Sequence, residues 1–154
     1  MEQKQGTYYF QLNILFFAMM AGAFMLALVA ALVLKSSETT NPELENILVP
    51  LCVLWAVGAV VAADRLVRKQ LSHIRQDQPL ETRQATFRSA FILQLALLEG
   101  AALFAIVSYM LTGSTLAIIT GIALIGWMSV NRPSIARLEK YLMLTSDEKE
   151  ALFG

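Results

Sequence analysis

Four long apolar stretches constrain this chain more than any other feature. They run over about 9–34, 47–63, 90–111 and 114–130, and Glu99 is the only charged residue in any of them. A helix needs roughly 20 apolar residues to cross a hydrocarbon core. Inside such a core water cannot satisfy backbone polar groups, so a spanning segment that is not part of a closed barrel has to be helical. The pattern predicts an all-α, integral membrane four-helix bundle. Composition agrees, with 56% of the 154 residues hydrophobic and 16% charged, against about 25% charged in soluble domains. What remains is a loop over 64–89 and a tail over 131–154, too little for a second core, so residues 1–154 read as one membrane domain.

Orientation follows from the basic residues, which are retained on the cytoplasmic side of short connections. Arg65, Arg68, Lys69, Arg75, Arg83 and Arg88 lie in the 64–89 loop; Arg132, Arg137, Lys140 and Lys149 lie in the tail; Lys4 precedes the first span. Lys35 alone falls on the other side, a division of eleven to one. Both ends and the long loop are therefore expected in the cytoplasm, which an even number of spans requires. The formal net charge is zero, and the placement of the cations at membrane boundaries argues against a nucleic-acid surface.

Local signals refine the outline. The aromatics Tyr8, Tyr9 and Phe10 suit a headgroup interface. Asn46 is a cap for the second span and places Pro50 in its first turn, where a missing N–H costs least. Val67, Leu71 and Ile74 recur at helical spacing, Asp77-Gln78-Pro79 signals a turn, and helix is expected from Leu80, so spans 2 and 3 project beyond the bilayer. Only Thr112 and Gly113 separate spans 3 and 4, which demands a tight antiparallel hairpin. Past Trp127, Asn131-Arg132-Pro133 starts a short amphipathic C-terminal helix with Ile135, Leu138 and Leu142 on one face, suited to lie along headgroups. Thr145 and Glu148 have capping-box spacing before a last turn at Lys149 to Phe153.

Glu99 is the main functional candidate. It lies nine residues into the third span, roughly 13 Å deep at 1.5 Å per residue. An ionisable group near the midplane costs about 2.5 to 3.5 kcal/mol on insertion scales and usually faces a bundle interior or polar cavity. With no cation in any span to pair with, the neutral acid is the expected form. Depth matching brings Ala18 to Gly22, Trp55, and Thr120 to Gly121 to its layer; Glu99, Trp55 and Thr120 form the candidate intramembrane polar site. Gln94 points about 140° away on the same helix and belongs elsewhere. Three roles stay open for Glu99: a hydrogen bond that locks the bundle, proton or cation handling, or contact with another subunit. Gly100 and Ala101 allow close approach beside it, and Ala18, Gly22, Gly58, Ala62, Ala117 and Gly121 fit close helix packing. His73 reads as a solvated loop residue and Cys52 as packing.

Two resemblances bear on these residues. Arg75-Gln76, Pro79 and the helix from Phe91 to Tyr109 with Leu98-Glu99-Gly100 in its middle resemble the loop and carboxylate helix of rotary ATPase c subunits. That resemblance implies a carboxylate that takes and releases an ion, although spans 1 and 2 hold only Gly22 and Gly58 where that family has repeated glycines. The whole-chain pattern, with Leu97-Leu98-Glu99-Gly100-Ala101-Ala102-Leu103-Phe104 and the tail Leu144-Thr145-Ser146-Asp147-Glu148-Lys149, resembles small four-span bacterial inner-membrane proteins of unassigned function, which implies that location.

The expectation is a non-enzymatic structural or accessory component with a bundle organised around Glu99. The alternative is a small proton- or cation-linked transporter or channel subunit using Glu99 as carrier. No nucleophile and base, metal cluster or cofactor motif is present in the sequence pattern. The expected partners are the lipid bilayer and either a second copy or another membrane protein.

Overall fold

The computed structural model describes residues 6–34 and 42–144. These form five helices and no strand: α1 (Gly6–Leu34), α2 (Pro42–Leu71), α3 (Leu80–Thr112), α4 (Thr115–Val130) and α5 (Ile135–Leu142). Three of them, α1, α2 and α3, are long and apolar enough to cross a membrane, and a fourth crossing is available if α4 and α5, bent by 68° at their junction, are taken together. Lys35, the 36–41 stretch, and the expected capping box and last turn over 145–153 lie outside the described residues.

Helix limits follow local chemistry. α2 begins at Pro42, with Glu43 and Glu45 in its first turn and Arg68 and Lys69 in its last, charges that complement both ends of the helix dipole. That start corrects two expectations, because Asn46 lies within the helix rather than capping it and Pro50 sits in the interior. Glu43 and Glu45 favour the N-terminal turn strongly enough to carry the helix outward past the apolar boundary. Pro50 then removes the N–H that would reach the carbonyl of Asn46. At the other end α2 and α3 project past the apolar zone as expected. The turn between them is held by Gln78 N–H to the Arg75 carbonyl (3.2 Å) and Arg75 N–H to Gln78 Oε1 (3.2 Å).

The α3–α4 hairpin is as tight as the spacing demands. Gly113 adopts φ 68° and donates its N–H to the Tyr109 carbonyl at 2.7 Å, a left-handed cap suited to glycine. Thr112 Oγ1 donates to the Ser108 carbonyl (2.7 Å) and accepts from Ser114 N–H (3.2 Å), so the buried link leaves little backbone unsatisfied. Behind it the two helices pack closely. A methyl at Gly121 would sit 3.2 Å from Ile106 Cγ1 and 3.5 Å from the Ala102 carbonyl oxygen.

α3 is the centre of the molecule. Half of its apolar window is buried, against 17% for α1. α1 and α2 each pack on both α3 and α4, with the larger contact on α3 in each case, and make no comparable contact with one another. The core interleaves small residues such as Ala23, Ala30, Ala101, Ala102 and Ala117 with large ones such as Leu12, Phe16, Leu98 and Met128. Large apolar side chains such as Phe17, Phe24, Leu54, Ile119 and Ile122 point outward. Large apolar residues on the outer surface, with alanines among the residues between helices, are expected where lipid, not water, is the solvent. Gly58 and Ala18 depart from the packing expected of them and face outward, while Ala117 and Gly121 are buried between helices.

α5 does more than lie on a surface. Ser134 caps it by accepting from Arg137 N–H (3.3 Å), and Leu138 and Leu142 are buried while Ile135 is exposed. Its C-terminus is held by Arg83 of α3, whose Nη1 donates to the carbonyls of Leu142 (2.6 Å) and Met143 (3.4 Å) and whose Nε donates to that of Gln78 (3.1 Å). Phe16, Phe87, Phe91 and Tyr141 pack ring on ring beneath it, with centroid spacings of 6.3–6.5 Å. Tyr8, expected at the headgroups, donates to the Gln84 carbonyl at 2.8 Å and ties α1 to the N-terminal part of α3.

Candidate functional site

The site grows from the side of α3 that its neighbours leave uncovered. Ala96, Gly100 and Val107 are exposed and Leu103 is half-exposed, positions that fall within about 60° of one another on a helical projection. α1 lies along one edge of this strip and α2 along the other. On the α2 side Leu51, Trp55, Ala96, Leu97, Gly100 and Phe104 line an open apolar groove of about 510 Å³. A methyl built at Gly100 meets nothing within 4 Å. Gly100 thus leaves open the close approach that the sequence suggested for another helix, and no helix of this chain fills it among the described residues.

Glu99 borders the same strip on the α1 side. A methyl built at Gly22 would come 3.6 Å from Glu99 Oε1, so the carboxyl rests against α1 at the layer that depth matching assigned to Gly22. The side chain is half-buried. It makes no hydrogen bond or ion pair among the described residues. Among the described residues its carboxyl therefore ties no two helices together by a hydrogen bond or ion pair. The interior beside it is the apolar set Leu95, Leu98, Ala102 and Ile106, and the acid stands at the margin of that packing.

The other expected members of the site go elsewhere. Trp55, 57% exposed, walls the groove from α2 and faces the strip from the side opposite Glu99. Thr120 Oγ1 donates to the Leu116 carbonyl of its own helix (2.8 Å) and lines a separate apolar groove between α2 and α4. Glu99 and Trp55 thus flank one surface; Thr120 does not join them. Gln94, as its 140° offset predicts, is buried on a different face and opens toward the C-terminal ends of α2 and α4. His73 is exposed, with Nδ1 2.7 Å from the Lys69 carbonyl oxygen, and Cys52 is buried. Among the described residues no three His, Cys, Asp or Glu side chains gather as a metal site would require.

Sequence reasoning missed two features. Arg83, counted only as a cytoplasmic charge, is 3% exposed and anchors α5. The open strip was also missed, although Ala96 and Gly100 stand four apart in a small-xxx-small spacing that lets helices approach closely. What this arrangement offers chemically is an acceptor, or a donor when protonated, beside an unfilled helix-wide surface. Comparison with protein families, curated proteins and solved structures gives no match to this chain.

Proposed function

We propose that this chain is a four-span accessory protein of the bacterial inner membrane, with both termini cytoplasmic, that receives a transmembrane helix of a partner protein on the open strip of α3. The observation that carries the reading is the unpartnered Glu99 carboxyl beside an exposed Ala96–Gly100 surface walled by Trp55. Small residues give a guest helix close approach, and a polar group in lipid gains from a partner that satisfies it. No span of this chain contains Lys or Arg, so a second copy brings no cation to this depth. A different membrane protein with a donor or cation at mid-helix fits better. Four crossings are favoured because α5 carries Arg137, Glu139 and Lys140, charges unsuited to hydrocarbon. α4 would then cross alone, its 16 residues covering about 24 Å with help from local thinning of the bilayer.

The test places a photoreactive residue at Gly100 and, as control, at Ile122 on the outward face of α4 in cells expressing the full chain. The reading expects a discrete adduct from Gly100 that disappears in Glu99→Leu, and none with that dependence from Ile122. Equal adducts from both positions, or insensitivity to Glu99→Leu, contradicts it. The carrier reading predicts something else: proton or cation flux into vesicles holding the purified chain, lost in Glu99→Gln. Such flux would displace the accessory role.

A further inference from the structure

A second site lies on another face of α3 and at another depth, where the cytoplasmic ends of α2, α3 and α4 meet α5. Gln94 forms its floor. Its side chain is 7% exposed, makes no hydrogen bond among the described residues, and lines two adjoining cavities. The larger, about 280 Å³, is bordered by Asp64, Arg65, Arg68, Trp127 and Asn131. The smaller adds Arg137 and Tyr141 from α5.

Charge in this cleft is lopsided. Asp64 is its only acid and is bound by Arg68 Nε at 2.9 Å, which leaves a formal excess of two positive charges from Arg65, Arg68 and Arg137. Arg137 is held in place from behind, donating through Nη1 to the Asn131 carbonyl (2.8 Å) and through Nη2 to Asn131 Oδ1 (3.1 Å). The surplus is an anion's complement, and the Gln94 amide adds neutral donors and an acceptor for hydroxyl or ester oxygens.

The cleft does not end at the polar groups. Val60, Val61 and Trp127, which border it, also line a second groove of about 300 Å³ that continues between α2 and α4 along Ala56, Val57 and Leu124. A cationic pocket at headgroup level that opens into an apolar channel running toward the bilayer centre has the shape and polarity of one lipid molecule. Basic pockets between helices on the cytoplasmic side are where anionic headgroups settle.

We propose that this cleft binds a single anionic glycerophospholipid of the cytoplasmic leaflet, its phosphate among Arg65, Arg68 and Arg137 and one acyl chain in the α2–α4 groove. The inference rests on the membrane placement above but not on the role of Glu99. A lipid here links α5 to the spanning helices by contacts that the protein alone does not make.

The test uses the full chain carrying Trp55→Phe, so that Trp127 is its only tryptophan, in nanodiscs of phosphatidylcholine with a minor share of phosphatidylglycerol brominated on its acyl chains. Quenching of Trp127 above that set by the bulk lipid fraction, and absent when the bromine is on phosphatidylcholine, is expected. Removing two cations with Arg65→Gln and Arg68→Gln should cut the preference roughly twentyfold or more, since each basic group near an anionic surface contributes about a factor of five. Arg75→Gln with Arg88→Gln, which border neither cavity, should leave it intact. An equal loss in that second pair, or no preference in the starting protein, overturns the proposal. Displacement of the quenching by millimolar inorganic phosphate overturns the lipid and leaves a soluble anion site. Failure of the chain to enter nanodiscs would instead strike at the membrane placement.

Discussion

Arg83 shows how one residue's role turns on the face it occupies. A guanidinium 3% exposed is costly unless its donors are used, and here they close the C-terminus of α5 and the turn before α3. Replacing it with Gln leaves the Leu142 carbonyl buried without its charged donor, a loss of about 2–3 kcal/mol. Thermal unfolding in detergent should register that loss. Limited proteolysis should cut near Met143 faster in Arg83→Gln, whereas Arg88→Gln, which is exposed, should behave as the parent. Unchanged cleavage in Arg83→Gln would mean that α5 is held by Leu138 and Leu142 alone. In the sequence Arg83 is one of eleven cations expected on the cytoplasmic side, with nothing local to distinguish it. The distinguishing signal is periodic: Phe87, Ala90, Phe91 and Gln94 follow it at +4, +7, +8 and +11, so Arg83 heads the buried stripe of α3. Glu99 was legible for the opposite reason, because a lone acid in an apolar span stands out whatever packs around it. Its margin position was not legible, since that depends on where α1 lands.

At the scale of elements, legibility tracks how local the determinant is. The α3–α4 junction could be placed within a residue because Gly113 must take the left-handed conformation and only a short polar break surrounds it. Gly113→Ala puts a Cβ at φ 68° and should cost about 1–2 kcal/mol, read as a lowered unfolding midpoint in detergent. Gly113→Asn should recover part of it, because asparagine tolerates that region better. Equal stability of Gly113→Ala and the parent would show that the hairpin reaches its geometry without a left-handed cap. The start of α2 was misplaced because hydropathy ends before the helix does; Glu43 and Glu45 extend it into a polar zone where apolar periodicity carries no information. α5 was expected for its amphipathic face, yet its docking required Arg83, a partner 59 residues from Leu142 in sequence. Nothing within α5 announces that contact.

For the whole molecule, the arrangement of α1 and α2 on opposite edges of α3 decides what is sealed and what is open. Had the four helices closed into a square bundle, α1 and α2 would pack together and cover Ala96 and Gly100; because they make no substantial contact, a strip of α3 stays available beside Glu99. That outcome was beyond the sequence, where the spans have nearly equal apolarity and no pattern assigns neighbours. The same arrangement makes the topology testable without reference to either proposed site. In a Cys52→Ala background, Gly113→Cys should react with a membrane-impermeant maleimide added to intact cells, and Gln76→Cys only after the inner membrane is opened. Ala136→Cys, exposed on α5, decides the fourth crossing. If α4 spans alone, Ala136→Cys reacts from the cytoplasmic side together with Gln76→Cys. If α4 and α5 form one bent crossing, it lies within the bilayer and stays unreactive from both sides. Labelling of Ala136→Cys from outside would place α4 back on the side it started from. The cleft lined by Arg65, Arg68 and Arg137 would then no longer sit at a single headgroup layer, because α2 and α5 would face different leaflets.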